Sequence, residues 1–383
     1  MAVNNNFYTT INGLVEQATK GSTTPIVDYD SFIEVGKSIT DIQNTDLQNN
    51  FITALMNRIS MVINTARNYE GSYKELTRGS LDYGNTIELI IQQFYDAQAA
   101  AFVDLVDGTS VDQYKIYKPK ANVDYYVDTV AYKIPITIQY DQLKKAFTGP
   151  GAMDSFIADV TMYVMNSNEL KREAGRIALV AKLIVDTTSA DAATSTDTPA
   201  RHYKLLSLYN TITGANLTTA NALYNAEFIK FAISTINKVT EKTKKVSESY
   251  NKKGIKTFTR AQDRHLFVNS ALVSAKGTYV FPDAFNNSEE ISLRDYINVP
   301  YWQNEKSPLT VTYEDPENSG QSLTTEPVLA VLCDKFAIGE YVRKQDMRTT
   351  PFNADGEYWN NFLNVELKYL VCESANSVVF TLA

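Results

Sequence analysis

Cysteine and histidine are scarce in this chain, two of each in 383 residues. His202 and His265 lie far apart, and neither has a cysteine or carboxylate at a ligand spacing, which removes the material for a zinc site or a histidine-based triad. Cys333 and Cys372 sit in strand-like apolar runs and read as buried thiols of a reducing compartment rather than a disulfide framework. No GxxxxGK(S/T) or GxSxG occurs, and GPGAMD at Gly149 lacks the third glycine of a dinucleotide fingerprint. The run VDLVDGTSVDQ, with Asp104, Asp107, Gly108 and Asp112, misses the ligand offsets and the bidentate glutamate of a calcium loop. Glu289 and Glu290 have no apolar pocket around them that would raise a carboxyl pKa. The sequence therefore predicts no catalytic, cofactor-binding or metal-binding residue, and not an enzyme.

Other absences narrow the class. No run of about 18 apolar residues exists, and the N-terminal MAVNNNFYTT lacks the basic-then-apolar pattern of a leader, so neither export nor membrane insertion is expected. The formal net charge is -8, which gives no global attraction for nucleic acid. The lysines from Lys238 to Lys256 are interleaved with Glu241 and Glu248 and carry no aromatic platform, so they read as a solvated helix end.

What is present is shape. With 44% hydrophobic residues the chain can bury a core of two or three domains or one elaborated domain. Its 24 tyrosines suit strands and wet interfaces. The dominant stretch is Pro150 to Asp186. There Phe156, Val160, Tyr163, Ser167, Leu170, Ala174, Ile177, Ala181 and Ile184 recur every three to four residues, which predicts one uninterrupted helix with those residues on its packing face. Gly149 suits the N-cap and Pro150 the first helical position. Gly175 costs about 1 kcal/mol against alanine unless another group packs closely there.

Around that rod the spacing predicts a short helix over Asn4–Thr19 and another over Asp41–Tyr69, joined by an extended arm broken at Gly21 and Pro25. Thr86–Ile91 reads as a strand whose partner lies in VDYYVDTVAYKIPITIQY, and Pro135 restricts that run to a sheet edge or a bulge. The long polar excursion between them would be marginal alone and is expected to lie on something else, such as another subunit. DQLKKAF is a short helix with Asp141 as candidate N-cap. After a polar loop past Asp186 come Leu205–Ile212 and a helix from Phe228 with Ala232, Ile236 and Val239 on one face. Strands are expected at Leu266–Val268, Leu309–Tyr313, Val328–Cys333, Gly339–Val342, Phe362–Val371 and Val378–Leu382. The class is α+β, a sheet packed on a long helix.

This order resembles the major capsid proteins of tailed double-stranded-DNA bacteriophages with the Hong Kong 97-like fold. VGKSITDIQNTDLQNNFITALMNRI resembles their N-terminal arm, RGSLDYGNTIELI to VAYKIPITIQYDQL their extended loop, and AMDSFIADVTMYVMNSNELKREAGRIALVAKLIV their spine helix. VLAVLCDKFAIGEYVRKQDMRTTPFNADGEYWNNFLNVELKYLV is similar to their returning peripheral strands, and VPYWQNEKSP to a stretch of such capsid sequences. The resemblance implies an N-terminal arm over 1–77, an extended loop (β-hairpin) over 78–140, a peripheral domain over 141–204 and 325–383, and an axial domain over 205–324. It implies pentamers and hexamers in an icosahedral head enclosing double-stranded DNA without sequence-specific binding. The implied partners are a separate scaffolding protein, a portal, and decoration or head–tail proteins, with assembly in the host bacterial cytoplasm and residence in the virion. Some members join an extended-loop lysine to a neighbour's asparagine; Lys115, Lys118 and Lys120, and Asn360, Asn361 and Asn364, are the positions available, and neither set matches the motif. The other readings are an encapsulin-like nanocompartment shell protein and a surface-layer protein.

Overall fold

The structure is a computed structural model that describes residues 5–19, 25–41, 43–59, 69–81, 86–92, 94, 107, 114, 116, 121–126, 129–280, 293, 295–314 and 322–383. Three helices come first: α1 (Asn5–Thr19), α2 (Tyr29–Ile39) and α3 (Thr45–Ile59). The expected extended arm is thus a helix in its second half. Asp28 caps it by accepting from the Ser31 amide while Ser31 Oγ accepts from the Asp28 amide, a reciprocal capping box legible in the DYDS wording. The second expected helix starts at Thr45 rather than Asp41, and its last residues lie outside those described. Ile11, Leu14 and Val15 pack with Phe51, Leu55 and Met56 in one core that also holds Ile138 and Trp359, so this part of the chain rests on its own body.

Next are β1 (Thr77–Ser80), β2 (Ile87–Gln92), β3 (Ala121–Tyr126) and β4 (Val130–Gln139). β2 pairs antiparallel with β3. The alternating run with Pro135 does not join them; β4 pairs antiparallel with β12 (Tyr358–Val371), Pro135 lying opposite Phe362. The contact spans more than 200 residues and leaves no local sequence mark. β4 is nevertheless an edge strand, as the proline requires, in a sheet ordered β1-β11-β12-β4 with β11 spanning Ile338–Thr349. Helix α4 (Tyr140–Ala146) is capped by Gln139, whose amide donates to Gln142 Oε1, and not by Asp141.

Helix α5 runs from Pro150 to Thr188 with Gly149 at its N-cap. Its 39 residues, at about 1.5 Å each, make a rod on the order of 58 Å long. Then follow β5 (His202–Lys204), α6 (Leu205–Thr213), α7 (Ala226–Lys242), β6 (Arg264–Asn269), α8 (Ser270–Ala275), β7 (Tyr296–Val299), the small pair β8 (Thr312–Glu314) and β9 (Ser322–Thr324), β10 (Val328–Asp334) and β13 (Ser377–Thr381). Five of these form a second sheet, β5-β13-β10-β6-β7. Period-two alternation gives it two faces. Leu266, Val268, Leu332, Val378 and Phe380 face α6 and α7, while Phe267, Val331, Cys333 and Val379 join Leu179, Val180, Leu183 and Ile184 of α5. With both faces covered, β10 is apolar without interruption from Val328 to Cys333. Trp302, from the VPYWQ stretch, is buried against this core and donates from Nε1 to the Val328 carbonyl at 2.8 Å.

Candidate functional site: the junction on the long helix

Helix α5 crosses both sheets, and two of its turns carry the densest chemistry of the described residues. Glu169, Arg172, Glu173 and Arg176 follow the i, i+3, i+4, i+7 rule and face the same way. Arg172 Nε donates to Glu340 Oε1 at 2.6 Å, and Arg176 Nε donates to the other oxygen of the same carboxylate. Glu340, on β11, is 0% exposed, so its charge is held entirely by these two guanidinium groups. Arg176 also donates to Glu169 Oε1 at 2.6 Å, and both arginines reach Thr77 Oγ1 of β1, at 3.2 and 3.1 Å. Glu173 Oε1 accepts the Ser72 amide at 2.9 Å. Two helical turns thereby grip the sheet through Glu340 and the segment leading to the β2–β3 hairpin through Ser72 and Thr77.

A second set of contacts holds the hairpin from the other side. Asp124 of β3 is ion-paired to Lys253 and accepts from Ser374 Oγ at 3.0 Å, while Tyr126 donates to the Val371 carbonyl at 3.0 Å. Lys252 bridges Asp186 at the end of α5 (2.6 Å) and Glu373 (2.7 Å). Lys238 and Lys242 pair with Asp197, and Lys244 with Glu241. The lysine-rich stretch is therefore largely neutralised by carboxylates of the same chain.

The packing face of α5 differs from the sequence expectation. Met153, Thr161, Val164, Asn168, Arg176 and Val180 are buried, whereas Tyr163 is 54% and Leu170 62% exposed. The apolar stripe exists, but over its first half it lies about one residue round the helix from the buried one. Ile177, Ala181 and Ile184 pack against the core as expected, while Phe156 and Val160, which pack at the core's margin, line a groove with Tyr163, and Ala174 lines a second. The first, of about 830 Å³, lies between Phe156, Val160 and Tyr163 of α5 and Ile136 and Ile138 of β4. The other, of about 590 Å³, has Ala174, Gly175 and Ala178 as its floor, tyrosines 125, 126, 132 and 369 around it, and Lys171 and Lys182 at its margin. Tyr132 donates to Asn168 Oδ1 at 2.7 Å, which fixes that ring against the helix.

The histidines and cysteines occupy structural places. His202 Nε2 lies 3.0 Å from Thr381 Oγ1 between paired strands. His265 is held down to about 4 by burial, then by the Arg78 and Lys335 charges. Burial pushes the Cys333 thiol up to about 12, and both cysteines are buried and unpaired. Among the described residues no group of His, Cys, Asp and Glu could hold a metal ion. Lys115, Lys118, Lys120, Asp104, Gly108, Asp112, Glu289 and Glu290 lie outside the described residues. Asn361 is buried, donates to the Ile136 carbonyl and accepts from Thr349. Asn360 accepts from Thr137 on the adjacent strand. The arginine–glutamate junction was not anticipated; its signal, ELKREAGR, reads from sequence as an exposed, salt-bridged helix face.

A profile of the family described as Phi29-like phage major capsid protein matches residues 10–381. The major capsid protein of Bacillus phage B103 is 27% identical over 382 residues, covering 97% of this chain and 72% of that protein. That of Bacillus phage PZA is 25% identical over 364 residues, covering 93% and 68% respectively. Among solved structures, the capsid of Staphylococcus phage Andhra has the same fold, with a TM-score of 0.54 at 8% identity over 84% of this chain and 88% of that one.

Proposed function

The chain belongs to the Phi29-like phage major capsid protein family and is a major capsid protein of a tailed phage with the Hong Kong 97-like fold, and from that premise we propose that its copies close an icosahedral head by packing onto the α5–β4 grooves. The observation that carries this reading is the apolar face of α5 left open in the single chain. Tyr163 and Leu170, two turns apart, are more than half exposed on a helix that buries Thr161, Asn168, Arg176 and Leu179 on its other side. An apolar stripe beside a lined groove is the signature of a surface covered by another chain. Pro135 on the neighbouring edge strand removes an N–H, so this edge favours side-chain packing over strand addition.

Residues 1–77 would serve as the arm, 78–140 as the extended loop, 141–204 with 325–383 as the peripheral domain, and 205–324 as the axial domain. The five-stranded sheet supports a firm join between the last two, because β6 and β7 come from one and β10 and β13 from the other. Pentamers and hexamers, enclosure of double-stranded DNA, and assembly in the bacterial cytoplasm with a separate scaffolding protein, a portal and decoration or head–tail proteins complete the proposal. Among the described residues no helix is long and apolar enough to cross a membrane. Electron microscopy of particles from cells producing the head proteins tests it. Closed shells built from this chain are the expected result, and stable monomers alone would overturn it.

A further inference from the structure

The junction on α5 has one carboxylate more than it has guanidinium groups. Arg172 and Arg176 face Glu169, Glu173 and Glu340, and the short bonds of both arginines go to Glu340 and Glu169. Glu173 is left with Arg176 Nη1 at 3.9 Å. It is 4% exposed, its Oε1 takes the Ser72 amide, and its Oε2 has no hydrogen-bond partner. The backbone closes over that oxygen: a Cβ placed on Gly71 would stand 1.9 Å from it. Tyr73, on the same segment, is buried with its hydroxyl unpartnered and its ring edge-on to Phe267. A buried carboxylate oxygen under a lid of backbone, without a hydrogen bond and with its nearest guanidinium nitrogen 3.9 Å away, is a place where a negative charge is costly and a proton is not.

We propose that Glu173 is a proton-operated latch: neutral, it lets residues 69–77 sit closed on α5, and ionised, it loosens that segment and with it the approach to the β2–β3 hairpin. The charged and titratable groups around it are Glu169, Arg172 and Arg176 from α5, Glu340 from β11, and Tyr69 and Tyr73 from the segment itself, with Tyr301 of the loop after β7 acting on those two tyrosines and the exposed Glu70–Lys74 pair on the same segment bonded to each other. Burial, with the Glu169 charge, raises the Glu173 carboxyl above its ordinary value, and the Ser72 and Tyr73 amides and Arg176 only partly oppose that rise. When the segment lifts, the carboxyl returns to water and to its ordinary value. Closure is therefore strongest below the ordinary carboxylate range and weakens as pH rises through the raised value. The other carboxylates of the junction keep direct guanidinium partners, which leaves Glu173 as the member that gains least by ionising.

Amide hydrogen exchange of residues 69–77 in the unassembled subunit tests this, read at each pH as the ratio of wild type to Glu173→Gln so that intrinsic exchange chemistry cancels. The amide side chain can still accept from Ser72 and cannot ionise. The ratio is expected to be smallest at pH 5 and to rise several-fold by pH 8. A ratio constant over that range overturns the latch. Should the glutamine variant not fold, Glu169→Gln decides: it releases Arg176 toward Glu173, so the wild-type acceleration between pH 5 and 8 should shrink, and an undiminished acceleration overturns the proposal. Neither outcome bears on shell formation, since the measurement is made on single subunits.

Discussion

Tyr369 of β12 lies against α5 at Gly175, where a Cβ would stand 1.9 Å from its hydroxyl oxygen and 2.5 Å from the ring carbon bearing it. The glycine is there because the sheet comes this close. Gly175→Ala gains about 1 kcal/mol in helix propensity but overpacks the contact at a cost of about 1–3 kcal/mol. The net expected effect is a loss of stability, measured by urea unfolding, and Tyr369→Leu in the same chain should recover most of it. Additive losses in the double variant would show that the contact does not set the constraint.

Glu340 holds the buried Arg176 and the partly buried Arg172, so removing its carboxylate takes a short ion pair from each and leaves Arg176 with Glu169. Glu340→Leu is expected to lower stability by about 3–5 kcal/mol. Arg172→Leu, whose guanidinium is the more exposed of the two, should cost less, because Arg176 still neutralises Glu340. Thermal melts of the soluble subunit order the two.

Ala174 is exposed on the groove side of α5, so its side chain carries little packing. A proline there removes the bond from residue 174 to the Leu170 carbonyl and kinks the rod, at about 3 kcal/mol or more. Ala174→Pro should abolish shells as well as lower helicity by circular dichroism, while Ala174→Ser should change neither.

His265 predicts an acid limb of stability. Its ring is packed beside Phe267 with the Arg78 guanidinium 3.5 Å from Nε2, and its pKa is held down to about 4. An unfolded histidine titrates near 6.5, so the contribution is complete above that value and is lost as pH falls toward 4. His265→Gln should flatten the melting temperature between pH 6.5 and 4.5 relative to wild type; an equally steep decline in both would assign the acid limb elsewhere.

The long helix, its N-cap, the restriction of Pro135 to an edge or bulge and the buried strand at Val328 were legible because each depends on local spacing or a single residue's backbone chemistry. The partner of β4 was not, since pairing with Tyr358–Val371 is set by the tertiary core. Of the expected stripe, Ala181 and Ile184 are buried and Phe156, Val160 and Ile177 pack against the chain's own cores, whereas Tyr163 and Leu170 are exposed, because periodicity reports an apolar face and not how deeply each turn of it is covered. Arg176 and Glu340 escaped notice since a buried ion pair has the same letters as a solvated one. Hydropathy assigns both to the surface.

The central claim is that the exposed stripe of α5 is where copies meet, and the double variant Tyr163→Glu with Leu170→Glu tests it most directly. Both side chains are exposed, so the subunit should melt within about 0.5 kcal/mol of wild type. Produced alongside the other head proteins, wild type should sediment as closed shells, and the variant should remain as folded, unassembled subunits. Shells of normal number and size from the variant would contradict the account.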